Sequence, residues 1–472
     1  MCERLLLGGP DMIGLPRGES RVGSGAVPLI LTLTACLVCG CADYRSRPLD
    51  QDELVGQLAV PAPGSLAEAA SRLRHPRLRP VSLDFSKPLT DEALGILAVL
   101  VSPELKAFRA KEAVAEAQVF NAGLLPDPKL FGRFDWVFSG PAGLVSPYTA
   151  TLQWDLAKLA TRSTDLHIAE EHARQVRLDV AWQEWLVANQ ARLLARRCAY
   201  LARQEAVAAE AAQISAQLLE LSRHNLALGD ATLAELGIRE AAFLDAKDRS
   251  LALARQIAKA RQDLNRLLGF PPAQRLVIAD VEAKPPAGLD PERLFVSARR
   301  QRLDLQALEA GYASQEASVY RAILGQYPAF TLGINDYHYY SDYNTGGPTV
   351  SLDLPLFNRN RGAIAIAEAT REQLYREYLG RLNQTRADIG TLVTDLDRIA
   401  QEREPLAREL PELIRAERLL REAAAVGDAT LVNYETVRAN YLDKRLKLLA
   451  LEQAAAEQAV ALQLAVGSAS IL

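Results

Sequence analysis

The sequence predicts a mainly α-helical protein with a small β part, laid out as a tandem duplication of long helical hairpins fed by strand hairpins. Three observations carry this reading. Gly229-Asp230-Ala231-Thr232-Leu233 returns as Gly427-Asp428-Ala429-Thr430-Leu431. Beyond about residue 90, Ala/Leu/Glu/Arg/Gln-rich stretches with few Gly or Pro dominate, the composition of long helices. Between those stretches, each copy holds two short runs in which apolar and polar residues alternate, the period of a strand with two unlike faces.

The 472 residues are 49% hydrophobic and 24% charged, with a formal net charge of −4. The basic residues are interleaved with acidic ones rather than clustered, which excludes nucleic acid as the expected partner. Four of the five cysteines, Cys2, Cys36, Cys39 and Cys41, fall at the start. Cys198 is left alone in the body as a small apolar residue, so no disulfide framework is possible there. The only methionines are Met1 and Met12, and removal of the leader would leave no thioether relay for copper.

Arg17 and Arg21 precede the apolar run 26–38, too short to span a bilayer and suited to a signal-peptide core. It closes on Val38-Cys39-Gly40-Cys41, which resembles a bacterial lipobox. Cys41 is then the diacylated N-terminus, an ordinary signal peptide being the alternative and Met12 an alternative start. By the enterobacterial sorting rule, Ala42 after it favours the outer membrane. The expected domains are a signal peptide with lipobox at 1–40, a lipid-anchored extended strap at 41–90 broken by six prolines, a first repeat at 91–285 and a second at 286–472.

The duplication extends well beyond the repeated pentapeptide. Leu105 pairs with Leu305 and Pro128 with Pro328 at an offset of 200, while Asp155 pairs with Asp353, Gly229 with Gly427 and Gly269 with Gly467 at 198. In the first copy a helix over 91–122 is expected to stop at Pro126-Asp127-Pro128, because proline lacks the N–H and clashes with the preceding turn. Leu130 to Phe138 and Tyr148 to Leu156 then alternate as a hairpin over 128–156. Ala329 to Tyr340 and Thr349 to Leu356 do the same over 328–356. One apolar and one polar face with aromatics toward the ends suit a transmembrane barrel wall. Four strands cannot close a useful barrel and an open edge in lipid leaves backbone groups unpaired, so oligomerisation is expected; a trimer would supply about twelve strands.

After each strand hairpin comes a rod of roughly 100 Å, from about Thr161 to Leu226 and from about Asn360 to Ala425, then a glycine turn and a return helix, giving helical hairpins over 161–268 and 360–466. Gly tolerates φ > 0 at the turn, and Asp or Thr caps the returning helix. Rods of this length need neighbours along their whole extent, and bundled around an axis they make a tube.

Strand hairpins feeding helical hairpins, in tandem behind a lipoprotein leader, resemble the TolC family of outer-membrane factors, its lipoprotein subclass, over about residues 90 to 467. The most specific segment is Leu354-Pro355-Leu356-Phe357-Asn358-Arg359-Asn360-Arg361-Gly362, with Pro355, Phe357, Arg359 and Gly362 as its marks. It resembles the family's return from the last strand into the helical tunnel, and residues 122–128 resemble the entry to the first strand. The resemblance implies a homotrimer in outer-membrane lipid, with a twelve-stranded barrel and a twelve-helix periplasmic tunnel. It also implies a periplasmic adaptor (membrane fusion protein) and an inner-membrane pump as partners. Leu228, Gly229, Asp230, Val426, Gly427 and Asp428 would be the adaptor-docking tips. Glu235, Asn433 and Glu435 would stand at the tunnel-mouth gate, Asn433 departing from the family's acidic pattern.

His167 and His172 are five apart, off the i, i+4 spacing of two ligands on one helical face, so no metal site is expected. No phosphate loop, nucleophile elbow or dinucleotide fingerprint occurs, so neither enzyme activity nor a cofactor is expected. The function expected is a passive export duct. The alternatives are a channel for type I protein secretion, which the same fold would serve, and a periplasmic coiled-coil adaptor, which would carry one hairpin in a β-rich domain rather than two full copies.

Overall fold

A computed structural model describes residues 44–280, 286 and 288–469. The expected signal peptide and Cys41 lie outside the described residues. Two units are distinguished, up to Leu58 and from Ala59 onward. In the first, α1 (Gln51–Gly56) starts where the Asp50 carboxylate accepts from Asp52 N and Glu53 N. The second begins with α2 (Pro63–Ser71), whose proline occupies the first turn, where a missing N–H is no loss. The strap is therefore not wholly extended: Asp50 and Pro63 act as helix starters.

From Thr90 onward the chain is built in two copies. Thr90 Oγ1 accepts from Ala93 N at 3.1 Å and opens α3 (Asp91–Val101). Its sequence is apolar nearly all round, and it is buried nearly all round. Leu66, Leu83 and Leu89 of the strap and Val187, Ala188, Ala191 and Leu194 share one apolar cluster with it. Sinking Leu94, Ile96, Leu97 and Val99 is worth about 1.5–3 kcal/mol each relative to exposure. Leu89 also makes a one-residue parallel bridge to Ile278, tying the strap to the end of the first repeat.

The expected single helix over 91–122 is in fact two. Ser102 is extended, and α4 (Pro103–Gly123) follows with its proline in the first turn. Proline disfavours helical backbone in the residue before it, which accounts for the break here. In the first copy, β1 (Lys129–Phe134) and β2 (Tyr148–Asp155) come next, then α5 (Leu156–Leu228) and α6 (Leu233–Leu268). The second copy runs α7 (Pro291–Gln301), α8 (Leu303–Leu324), β3 (Ala329–His338), β4 (Asn344–Asp353), α9 (Arg361–Ala425) and α10 (Leu431–Val466). It breaks at Arg302, 200 residues after Ser102, with no proline following. There the guanidinium lies over Trp182, donates to both Asp304 oxygens at 2.9 and 2.7 Å, and reaches the Ala465 carbonyl at 3.1 Å. The break thus belongs to the repeat, and proline is only one way to build it.

The rods are α5, 73 residues, and α9, 65 residues, or roughly 100 Å each at ~1.5 Å per residue. The first begins at Leu156, earlier than expected, because Asp155 ends the strand and caps the helix directly through Lys158 N. The rods also differ internally: α9 contains Pro405 and Pro411, whereas α5 contains no proline. Val207 and Ala208 of α5 pack on Leu442 and Leu446 of α10, joining the two hairpins partway along their length. No described helix is long and apolar enough to cross a membrane.

Candidate functional site

The four strands form one antiparallel sheet in the order β1-β2-β3-β4, so both hairpins lie in a single wall whose free edges are β1 and β4. β1 is shorter than the expected run, ending at Phe134, since residues 135–147 depart into a loop rich in Gly and Pro. Register gathers residues into rows. Leu130, Leu152, Ile334 and Pro348 stand side by side, as do Trp154, Leu332 and Val350, and these rows share one face. The rows between them carry Gln153 with Gly333 and Thr349, and Asp155 with Thr331 and Ser351. Thr349, Thr151 and Thr331 therefore face opposite to the apolar rows; Phe131 and Tyr337 share the polar side, and Asp336 and His338 stand at the far end of the apolar one. Among the described residues the apolar face is left uncovered, with Leu130 77% and Ile334 67% exposed.

The return from sheet to helix shows why the Leu354 to Gly362 motif is written as it is. Arg359 and Asn360 both have positive φ, 45° and 53°, and the Asn360 amide donates to the Ala322 carbonyl at the end of α8 at 2.7 Å. Asn358 supports the turn by accepting from Asn360 N at 3.0 Å. Gly325 supplies the room, since a Cβ there would run into the Asn360 amide. Pro355 precedes this turn, Phe357 projects from it almost fully exposed, and Gly362 sits in open space in the first turn of α9.

At the opposite ends of the rods are the two tips. Gly229 (φ 82°) and Gly427 (φ 84°) are left-handed with open space around them, as a helix-to-helix turn requires. Asp230 N and Asp428 N close the turns onto the Asn225 and Ala423 carbonyls, both at 2.9 Å. Leu228 and Val426 point outward at 63% and 73% exposure. Thr232 and Thr430 cap the return helices, as the turn chemistry suggests.

The three residues expected at the tunnel mouth have different surroundings. Glu235 completes a capping box, accepting from Thr232 N at 2.8 Å, and these hydrogen bonds hold its carboxyl below the usual range. Asn433 occupies the matching place but offers only its backbone N–H to Thr430 Oγ1, at 3.3 Å. Glu435 is buried and faces the first hairpin, where Arg239 Nη1 lies 2.5 Å from Oε2. Burial raises the Glu435 carboxyl above its ordinary value, and Arg239 opposes the shift.

Sequence reasoning missed the rest of this clasp. Arg249 pairs with Asp443 at 3.3 Å, and Arg438 reaches Glu210 at 3.2 Å and Glu417 at 3.3 Å. The groove they border, about 570 Å³, has Ala211, Ile214, Ala242 and Ala439 among its walls. The only available signal was the charge on α10 at positions 435, 438 and 443, which also suits a solvated face. Among the described residues, no group of three or more His, Cys, Asp or Glu is placed to hold a metal ion.

A sheet with one apolar and one polar face feeds paired rods that end in glycine turns, and this architecture is shared with outer-membrane proteins of known structure. Residues 294–468, within the second repeat, match the family model described as outer membrane efflux protein, a family whose members are channels rather than enzymes. Among solved structures, the outer membrane protein VceC from Vibrio cholerae is similar at 19% identity and TM-score 0.66, covering 80% of this chain and 96% of that one. CusC is similar at 17% identity and TM-score 0.64, covering 84% and 98%. The CmeC outer membrane channel of Campylobacter jejuni follows at 14% identity and TM-score 0.66, covering 80% and 85%. No curated protein sequence matches the chain.

Proposed function

We propose that three copies close their sheets into one outer-membrane barrel and their hairpins into one periplasmic duct, through which cargo leaves passively. The observation that carries this reading is the two-faced sheet with both edges free. An apolar face and two unpaired backbone edges are each unfavourable in a monomer, and joining β1 of one copy to β4 of the next while lipid covers the apolar face resolves both. Energy has to come from an inner-membrane pump, linked by an adaptor that meets the tips at Leu228-Gly229-Asp230 and Val426-Gly427-Asp428. Arg239 and Glu435 hold the hairpins together at the closed end, so in this proposal the gate rests on Glu435 rather than on Glu235 or Asn433. Cys41 is the proposed lipid anchor.

Reconstitution in planar bilayers, with the purified protein sized by light scattering, tests the core of this reading. A trimer with discrete conductance is expected; a monomer that conducts under no condition would overturn it. Mass spectrometry of the mature N-terminus tests the anchor, the expected mass being that of a diacylated Cys41.

A further inference from the structure

At the junction between sheet and rods, each copy places an exposed apolar pair beside a guanidinium. In the first copy the pair is Leu124-Leu125, 51% and 59% exposed, and Arg162 Nε donates to the adjoining Gly123 carbonyl at 2.8 Å. In the second it is Leu356-Phe357, 66% and 93% exposed, and Arg361 Nη2 donates to the Phe357 carbonyl at 3.3 Å. Both pairs continue the apolar face of the sheet. Trp154 stands on that face and donates its indole N–H to the Pro126 carbonyl at 2.6 Å, which holds the 124–126 segment against it. In the second copy, Leu354 and Leu356 follow directly on Leu352, the last apolar-face residue of β4.

The exposed cations Lys158, Arg359 and Arg361 lie immediately on the rod side of the pairs. Of the neighbouring acids, Asp155 is spent on capping α5 and Asp353 belongs to the polar face, leaving Asp127 as the exposed acid within the collar segment. Apolar and aromatic side chains followed by cations at one level match the boundary between acyl chains and phosphates. Irregular backbone of this kind is not tolerated deep in hydrocarbon, where its polar groups would lack partners, which places it at the boundary itself.

We infer that Leu124, Leu125, Leu356 and Phe357, with the basic residues beneath them, form a collar that binds phospholipid of the periplasmic leaflet: the apolar side chains enter the acyl boundary and the cations meet the headgroup phosphates. The collar is a second means of membrane attachment, set by the fold and separate from Cys41, and it fixes how deep the barrel sits. It rests on the proposal that the sheet lies in the membrane.

The test uses the full-length protein in vesicles of phosphatidylethanolamine and phosphatidylglycerol. A polarity-sensitive fluorophore is attached to Phe357→Cys, with Leu332→Cys on the apolar sheet face as reference, and quenching by nitroxide-labelled phospholipid is measured. Cys198 is buried, and burial pushes its thiol up to about 11, so it does not compete for the label. Blue-shifted emission at 357 with a loss of intensity comparable to that at 332 is expected, and Arg361→Gln should reduce the loss at 357 while leaving 332 unchanged. Quenching at 332 with blue-shifted but unquenched emission at 357 would mean that a neighbouring copy covers the collar, and red-shifted emission there would mean water; either overturns the collar alone. No quenching at 332 would overturn the membrane reading beneath it.

Discussion

Arg162 and Asn360, 198 residues apart in sequence, occupy equivalent stations in the two copies and do the same work. Arg162 donates to the Gly123 carbonyl at 2.8 Å and Asn360 to the Ala322 carbonyl at 2.7 Å, so each ties the start of a long rod to the last turn of the helix that preceded its sheet. The chemistry of the side chain changed between the copies while the hydrogen bond stayed.

That tie gives a first expectation. Asn360→Ala should cost about 1 kcal/mol, the usual net worth of one hydrogen bond, and Gly325→Ala should reach a similar loss by displacing the same amide. The double variant should be little worse than either single one, since both remove one interaction. Amide exchange across 356–364 measures this, and fully additive losses would disprove the shared mechanism.

The clasp at the rod ends should respond asymmetrically. Arg239→Ala strands the buried Glu435 carboxylate, whereas Glu435→Gln leaves Arg239, which keeps part of its surface in water. Removing one partner of a buried pair is costly mainly because the other charge stays behind. Arg239→Ala should therefore raise single-channel conductance more than Glu435→Gln, and the opposite ranking would show that Glu435 is not the buried partner in the closed tip.

Acidification should loosen the strap. His75 Nδ1 accepts from Arg77 N at 3.0 Å and Leu78 N at 2.9 Å, so Nε2 carries the proton and donates to the Ala181 carbonyl at 2.9 Å. A second proton on Nδ1 would face two donors, and burial pushes the pKa below the usual 6.5, although Glu184 pulls the other way. Since the folded ring resists protonation more than the unfolded one, its stabilising contribution is full above pH 6.5 and is lost as pH falls toward the folded value. Proteolysis of the strap should accelerate from pH 7 to pH 5. His75→Asn keeps an acceptor near Nδ1 and should remove the pH dependence.

The tip glycines allow backbone and surface effects to be separated. Both lie in open space, so a new side chain meets nothing within the protomer, and only the left-handed backbone resists it. Asn adopts that backbone readily and Val does not. If Gly229 and Gly427 form the docking surface, both substitutions at either site should lower cross-linking to an adaptor. Were only Val to lower it, the glycines would serve the turn and not the partner.

The repeat, the rods, the strand hairpins and the glycine turns were legible because breakers and periodicity are local signals. The chain break at Arg302 was not, because it depends on Asp304, Trp182 and Ala465 meeting in space. The helices within the strap were hidden by prolines that sit at or near helix starts rather than ends. Glu435 was singled out as a carboxylate near a turn, but its burial against Arg239 depends on the packing of α6 and α10, to which a single helix's pattern is blind. Glu235 carried the opposite ambiguity: the Thr232-to-Glu235 spacing is itself a capping signature, and the cap is where its carboxylate is bound.

Pro405 and Pro411 make the two rods unequal as mechanical members. Each proline deletes one rung of the backbone ladder and crowds the turn before it, so a helix interrupted twice within six positions resists bending less than one with every rung in place. Under the same sideways load, the second hairpin would yield before the first. A ring assembled from such subunits would alternate stiff and compliant staves, with its give concentrated in one hairpin of each pair.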